Sequence, residues 1–114
     1  MEVSEMINEA VPGSEKRRYT RTSIELPVVV QGMSPHTQLR GHCLDLSEAG
    51  AGGILTGVLK PGQVVLMELV LAADRPVQVN ARVRHVSRLH CGFEFLAPDV
   101  KVIGHIREAC QRVQ

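Results

Sequence analysis

The chain has 114 residues, 44% of them apolar and three aromatic (Tyr19, Phe93 and Phe95), with a formal net charge of +1. That length makes one domain with a core of its own, and the near-neutral charge excludes a whole-surface field that would draw in a nucleic acid polymer or anionic lipid. Three widely spaced cysteines (Cys43, Cys91, Cys110) argue against a disulfide framework, and no apolar run is long enough to span a bilayer, so a cytoplasmic setting without membrane insertion is expected.

Residues 1–15 carry Gly, Ser, Pro and alternating charge without a sustained period and read as a flexible tail, with the folded domain over 16–114. Ile24–Val30 reads as a strand, with Pro27 placing it at a sheet edge or a bulge. Gly32–His36 is a turn cluster, and Leu39–Leu46 is a second strand. Ser47–Gly53 is expected to be a Gly-rich turn, followed by a short strand over Gly53–Thr56 and a Lys60-Pro61-Gly62 turn. Gln63–Leu71 is aliphatic enough to be buried on both faces. Pro76–Ser87 alternates, placing Val77, Val79, Ala81, Val83 and His85 on one face, with a bulge near its end. Cys91–Leu96 is a sixth strand. A helix is expected over 98–113, with Pro98 in its first turn and Val100, Ile103, Ile106, Cys110 and Val113 on its apolar face. Six strands at roughly ten-residue intervals and one terminal helix suggest an antiparallel barrel or a closed sandwich.

Two stretches carry chemistry. In Arg17-Arg18-Tyr19-Thr20-Arg21 three guanidinium groups fall within five residues. They are poorly placed to pair with one another and well placed to wrap an anion, since forked guanidinium donors match phosphate oxygens and the O6 and N7 edge of guanine. A solvated basic strip is the plainer reading of the same residues. In Asp45-Leu46-Ser47-Glu48-Ala49-Gly50 an ionised carboxylate can accept from guanine N1 and N2, Ser47 can meet a base or phosphate, and Gly50 allows positive φ and close backbone approach. The plainer reading there is a turn in which Asp45 and Ser47 satisfy local backbone amides. Arg21 and Asp45 are 24 residues apart, the span of one hairpin, so the acid can return beside the arginines.

The ordered pair resembles the PilZ domain family of cyclic di-GMP receptors, whose pattern is Arg-x-x-x-Arg followed by Asp-or-Asn-x-Ser-x-x-Gly. Arg17, Arg21, Asp45, Ser47 and Gly50 match it without departure, and Lys60-Pro61-Gly62-Gln63 and Gly92-Phe93-Glu94-Phe95 look like the family's later strands. The resemblance covers roughly Lys16 to Val113. It implies an all-β fold with a C-terminal helix, namely a six-stranded antiparallel β-barrel, in a bacterial setting. It also implies a cyclic di-GMP site in which Arg17, Arg18 and Arg21 meet phosphate and guanine, Asp45 and Ser47 read guanine edges, and Gly50 holds the turn. The arginine segment would order across the barrel mouth on binding and present a changed surface to a partner protein, with the receptor a monomer or a homodimer. An adaptor of the same fold that binds no nucleotide is the alternative. Catalytic residues, metal and cofactor are expected to be absent. No nucleophile has a base and an orienter, and His42-Cys43 and His90-Cys91 are strand neighbours that should point to opposite faces. Arg82 and Arg84 are either plain surface or pocket lining.

Overall fold

The computed structural model describes residues 21–32, 38–73, 75–88 and 90–113. Six strands, β1 (Thr22–Gln31), β2 (Gln38–Leu46), β3 (Gly50–Leu55), β4 (Val64–Ala72), β5 (Arg75–Ser87) and β6 (His90–Phe95), precede one helix, α1 (Val100–Val113). All neighbouring strands are antiparallel, and the order β1-β2-β3-β6-β5-β4 closes when β4 pairs with β1. Closure leaves no sheet edge, which removes the unpaired N–H and C=O rows that invite association.

Strand alternation fills the interior. Leu26, Val28 and Val30 point inward from β1, Val65, Met67, Leu69 and Leu71 from β4, and Val77, Val79, Ala81 and Val83 from β5. Phe93 and Phe95 complete the wall from β6. Beside Val28, Cys43 and Met67 the interior holds a void of ≈ 10 Å³, the size of a single water at most, as a packed core does. The connection from β3 to β4 crosses one barrel end and buries Leu59 there, since those strands are not neighbours. The helix covers the other end. Its Ile106 and Ala109 are buried, Arg112 donates to the Leu71 carbonyl at 3.3 Å, and Arg75 bridges to Glu108 at 3.2 Å.

Several expectations are corrected. The stretch Gly50–Gly53 is not a turn: it is the first part of β3 and is fully buried. Four residues with almost no side chain let β2 and β6 close over them. The β4 strand is not buried on both faces, because its outward residues Val64, Leu66, Glu68 and Val70 are exposed or half-buried. The helix begins at Val100, with Asp99 as its cap: Asp99 Oδ1 accepts from the Lys101 amide at 2.7 Å. Pro98 therefore precedes the helix. The buried face runs through Val102, Ile106, Ala109 and Cys110. Val100, six positions from Ile106 and so about 120° around the axis, is exposed. Val113 shares Ile106's direction but is half exposed as the last helical residue.

Pro27 stands where a β-strand tolerates it. A bulge lies between Ser23 and Leu26, and the ladder to β4 begins one residue after Pro27, at Val28. The expected turn over Gly32–His36 falls largely outside the described residues, as do residues 1–15.

Candidate functional site

The site is made by two bulges that turn side chains from the core to the outer wall. On β2, Cys43 points inward and is 1% exposed. Strict alternation would send Asp45 inward after it and Leu46 outward. The register shift between Cys43 and Asp45 reverses this, so Leu46 is fully buried and Asp45 faces out. The Cys43 thiol donates to the Asp45 carbonyl oxygen at 3.0 Å, across the bulge. On β5 the shift lies between Val83 and His85. It corrects the expectation that His85 shares the inner face of Val83: Arg84 and His85 both lie outside, and Val86 turns back toward the core.

These outward residues share one row across the wall. Asp45 pairs with Gly52, Gly52 with Gly92, and Gly92 with His85. Adjacent strands lie ~4.8 Å apart, so the acid and the imidazole stand about 14 Å apart on the backbone with no side chain between them. The glycines make this possible. A Cβ on Gly52 would lie 2.7 Å from Asp45 Oδ2, and one on Gly92 would collide with the His85 ring. Asp45 and His85 thus lean over a bare strip of backbone.

Arg21, immediately before β1, forms an ion pair with Asp45 Oδ1. Their side chains are 38% and 31% exposed, so a ligand at the surface can reach both. Beside this pair is a cleft of ≈ 250 Å³ lined by Arg21, Arg84, His85, Gly92 and Glu94 among others. Arg84 bridges to Glu94 at 3.4 Å. The His85 ring is stacked with His90, with centroids 5.6 Å apart and planes 16° apart. The cleft lies on the outer wall. α1 and the Leu59 connection close the barrel ends, and the arginine segment expected to order across the mouth lies, up to residue 20, outside the described residues.

Ser47 and Gly50 shape the approach to this site. Ser47 is 4% exposed, and its Oγ accepts from the Ala49 amide at 3.1 Å and the Gly50 amide at 3.2 Å. The Ser47 amide donates to the Gly50 carbonyl at 2.9 Å. The plainer reading therefore describes Ser47, whose hydroxyl holds the β2–β3 turn, while Asp45 is held by Arg21 instead. Gly50 does not adopt positive φ, but its amide and carbonyl both bond to Ser47 across the turn. It opens β3, where a Cβ would collide with the Phe93 carbonyl oxygen. Its requirement is the close approach of β6. Glu48, in the same turn, accepts from Arg107 Nε at 2.9 Å and Nη2 at 3.1 Å. This pairing ties the turn to α1 and holds the Glu48 carboxyl below the usual carboxylate range.

Arg17 and Arg18 lie outside the described residues. Of the two arginines weighed on β5, Arg84 lines the cleft and Arg82 stands in the next outward row, opposite Glu94. His42 is exposed while Cys43 is buried, as strand neighbours should be. Burial, reinforced by the Asp45 charge, pushes the Cys43 thiol up to about 12, so it is no nucleophile at neutral pH. Among the described residues no group of three His, Cys, Asp or Glu side chains could hold a metal ion. The residues missed from sequence are His85, Gly52 and Gly92. Two glycines on separate strands were the available signal, but their pairing is fixed only by the register.

A closed six-stranded antiparallel barrel with a terminal helix defines the fold, and an arginine–aspartate pair stands on its outer wall. The family model for the PilZ domain matches residues 15–112, and the chain belongs to that family. Solved structures share its fold. The PilZ domain of CeSA from a cellulose-synthesizing bacterium is 17% identical, with TM-score 0.67 over 82% of this chain and 97% of that one. The PilZ domain of YcgR from Escherichia coli, solved with c-di-GMP, is 18% identical, with TM-score 0.73 over 85% and 90%. The Bacillus subtilis inhibitor of motility MotI/DgrA is 20% identical, with TM-score 0.74 over 87% of this chain and 51% of its own. No curated protein sequence matches the chain. No helix among the described residues is long and apolar enough to cross a membrane.

Proposed function

We propose that the chain is a receptor for cyclic di-GMP, without catalytic activity of its own, that passes its signal to a protein partner in the cytoplasm. The observation that carries this reading is the outward Asp45–Arg21 pair beside a glycine-floored cleft. Membership of the PilZ family and the c-di-GMP complex of the YcgR domain support it.

Each group has a role it can perform. Asp45 offers two acceptor oxygens to the N1–H and N2–H donors of guanine. Arg21, with Arg17 and Arg18, offers forked donors to phosphate oxygens and to the guanine O6 and N7 edge. The ion pair serves both needs, because each partner keeps the other oriented until the ligand takes over part of its bonding. Ser47 and Gly50 act through position: one fixes the turn that follows Asp45, the other lets β3 and β6 close beneath the cleft.

Isothermal titration with cyclic di-GMP tests the reading. The wild-type chain binds, and Arg21→Ala weakens binding by ~10- to 100-fold, the value of one charge-assisted hydrogen bond or slightly more. Absence of binding by the wild-type chain contradicts the receptor assignment and favours an adaptor that works by protein contacts alone. Undiminished binding by Arg21→Ala removes this site.

A further inference from the structure

We infer that His85 is a ligand-contacting residue that binds as the imidazolium, so that this chain takes up a proton when it takes up its ligand. The inference rests on the receptor reading above and adds a pH dependence to the same site.

Position comes first. The β5 bulge expels His85 from the core, Gly92 gives its ring a seat, and the ring lines the cleft. A side chain at 92 would collide with the His85 ring, so the ring's place depends on the bare backbone there. Charge balance comes second. Among the described residues the charged and titratable groups around His85 include Arg82 and Arg84 on its own strand, His90 and Glu94 on β6, Arg21 ahead of β1 and Asp45 on β2. Arg21 is matched by Asp45 and Arg84 by Glu94. These two pairs cancel, Arg82 opposite Glu94 adds one fixed positive charge beside them, and histidine is the side chain whose charge ordinarily changes near neutral pH.

A cyclic dinucleotide brings two phosphodiester charges, which do not titrate in that range. An anion within hydrogen-bond reach favours the charged form of an imidazole. His85 lines the cleft and His90, stacked on it, is not among the lining residues, which assigns the anion contact to His85.

The experiment is titration of the full chain with cyclic di-GMP from pH 5.5 to pH 8, in pairs of buffers that differ in ionisation heat. The wild-type chain binds about tenfold tighter at the acid end, the effect of one neighbouring opposite charge on a titrating group, and the buffer pairs report proton uptake. His85→Gln binds with an affinity that does not change with pH, and His90→Gln keeps the pH dependence. Circular dichroism melts confirm that both variants fold. Flat wild-type affinity without proton uptake overturns the inference and leaves the receptor reading intact, as does a pH dependence that survives in His85→Gln. A chain that binds at no pH removes the receptor reading and this inference with it.

Discussion

Asp45 reaches solvent because one residue, Leu44, is extra in its strand relative to β3. An Asp45→Ala chain should lose ~10- to 100-fold in cyclic di-GMP affinity by titration calorimetry, since a charged acceptor is removed and Arg21 loses its orientation. The glycines separate two kinds of constraint. At Gly52 an added methyl group meets the Asp45 carboxylate, which is the far end of a side chain. Gly52→Ala should therefore fold and bind weakly. At Gly50 the methyl group meets the backbone of Phe93, which cannot turn aside. Gly50→Ala should destabilise the barrel by ~1–3 kcal/mol in urea unfolding, the usual range for overpacking. Thiol chemistry follows the same logic of position. Cys43 and Cys91 are buried and Cys110 is half-buried, so a thiol reagent should label Cys110 first in the native chain. The identities of Arg21 and Asp45 were legible in the sequence from their charge and their hairpin spacing. The outward direction of Asp45 was not, because a bulge reverses alternation without any residue that marks it.

At the scale of elements, the β2–β3 turn and α1 act as one unit through Glu48 and Arg107. Their bond lowers the Glu48 carboxyl below its unfolded value, so its stabilising contribution is complete above the ordinary carboxylate pKa and is lost as pH falls through the folded one. Both side chains are partly exposed, which limits the effect to below about 1 kcal/mol. Acid unfolding checks it: Arg107→Ala should show a shallower loss of stability below pH ~4.5 than the wild-type chain. The helix owes more to packing. Ile106 is fully buried, and Ile106→Ala should cost ~2–5 kcal/mol. Strand periodicity revealed β1, β2, β5 and β6 from sequence. It failed for Gly50–Gly53, where glycine's turn preference was overridden by the packing of β2 and β6 against it. It failed for His85, where a bulge was foreseen but its effect on direction was not.

For the whole molecule, closure was the part least legible. Alternation alone left a barrel and a closed sandwich open, because the deciding contact joins β1 to β4, nearly forty residues apart in sequence, while the family resemblance pointed to the six-stranded barrel that the structure has. Once closed, the wall becomes a rigid platform: five of its six strands bring Ser23, Asp45, Gly52, Gly92 and His85 into one register row. A ligand bound only to that platform must stabilise the fold. At a hundredfold excess over Kd the gain is ~2.7 kcal/mol, readable as a rise in the melting temperature with cyclic di-GMP. The most direct measurement is a nitrogen–proton correlation spectrum of the labelled chain during titration with cyclic di-GMP. The account predicts that the amides of Arg21, Asp45, Gly52, His85 and Gly92 shift together and saturate together. Shifts confined instead to the groove on the neighbouring wall, around Pro27, His42 and Thr56, or a spectrum that does not change, would contradict it.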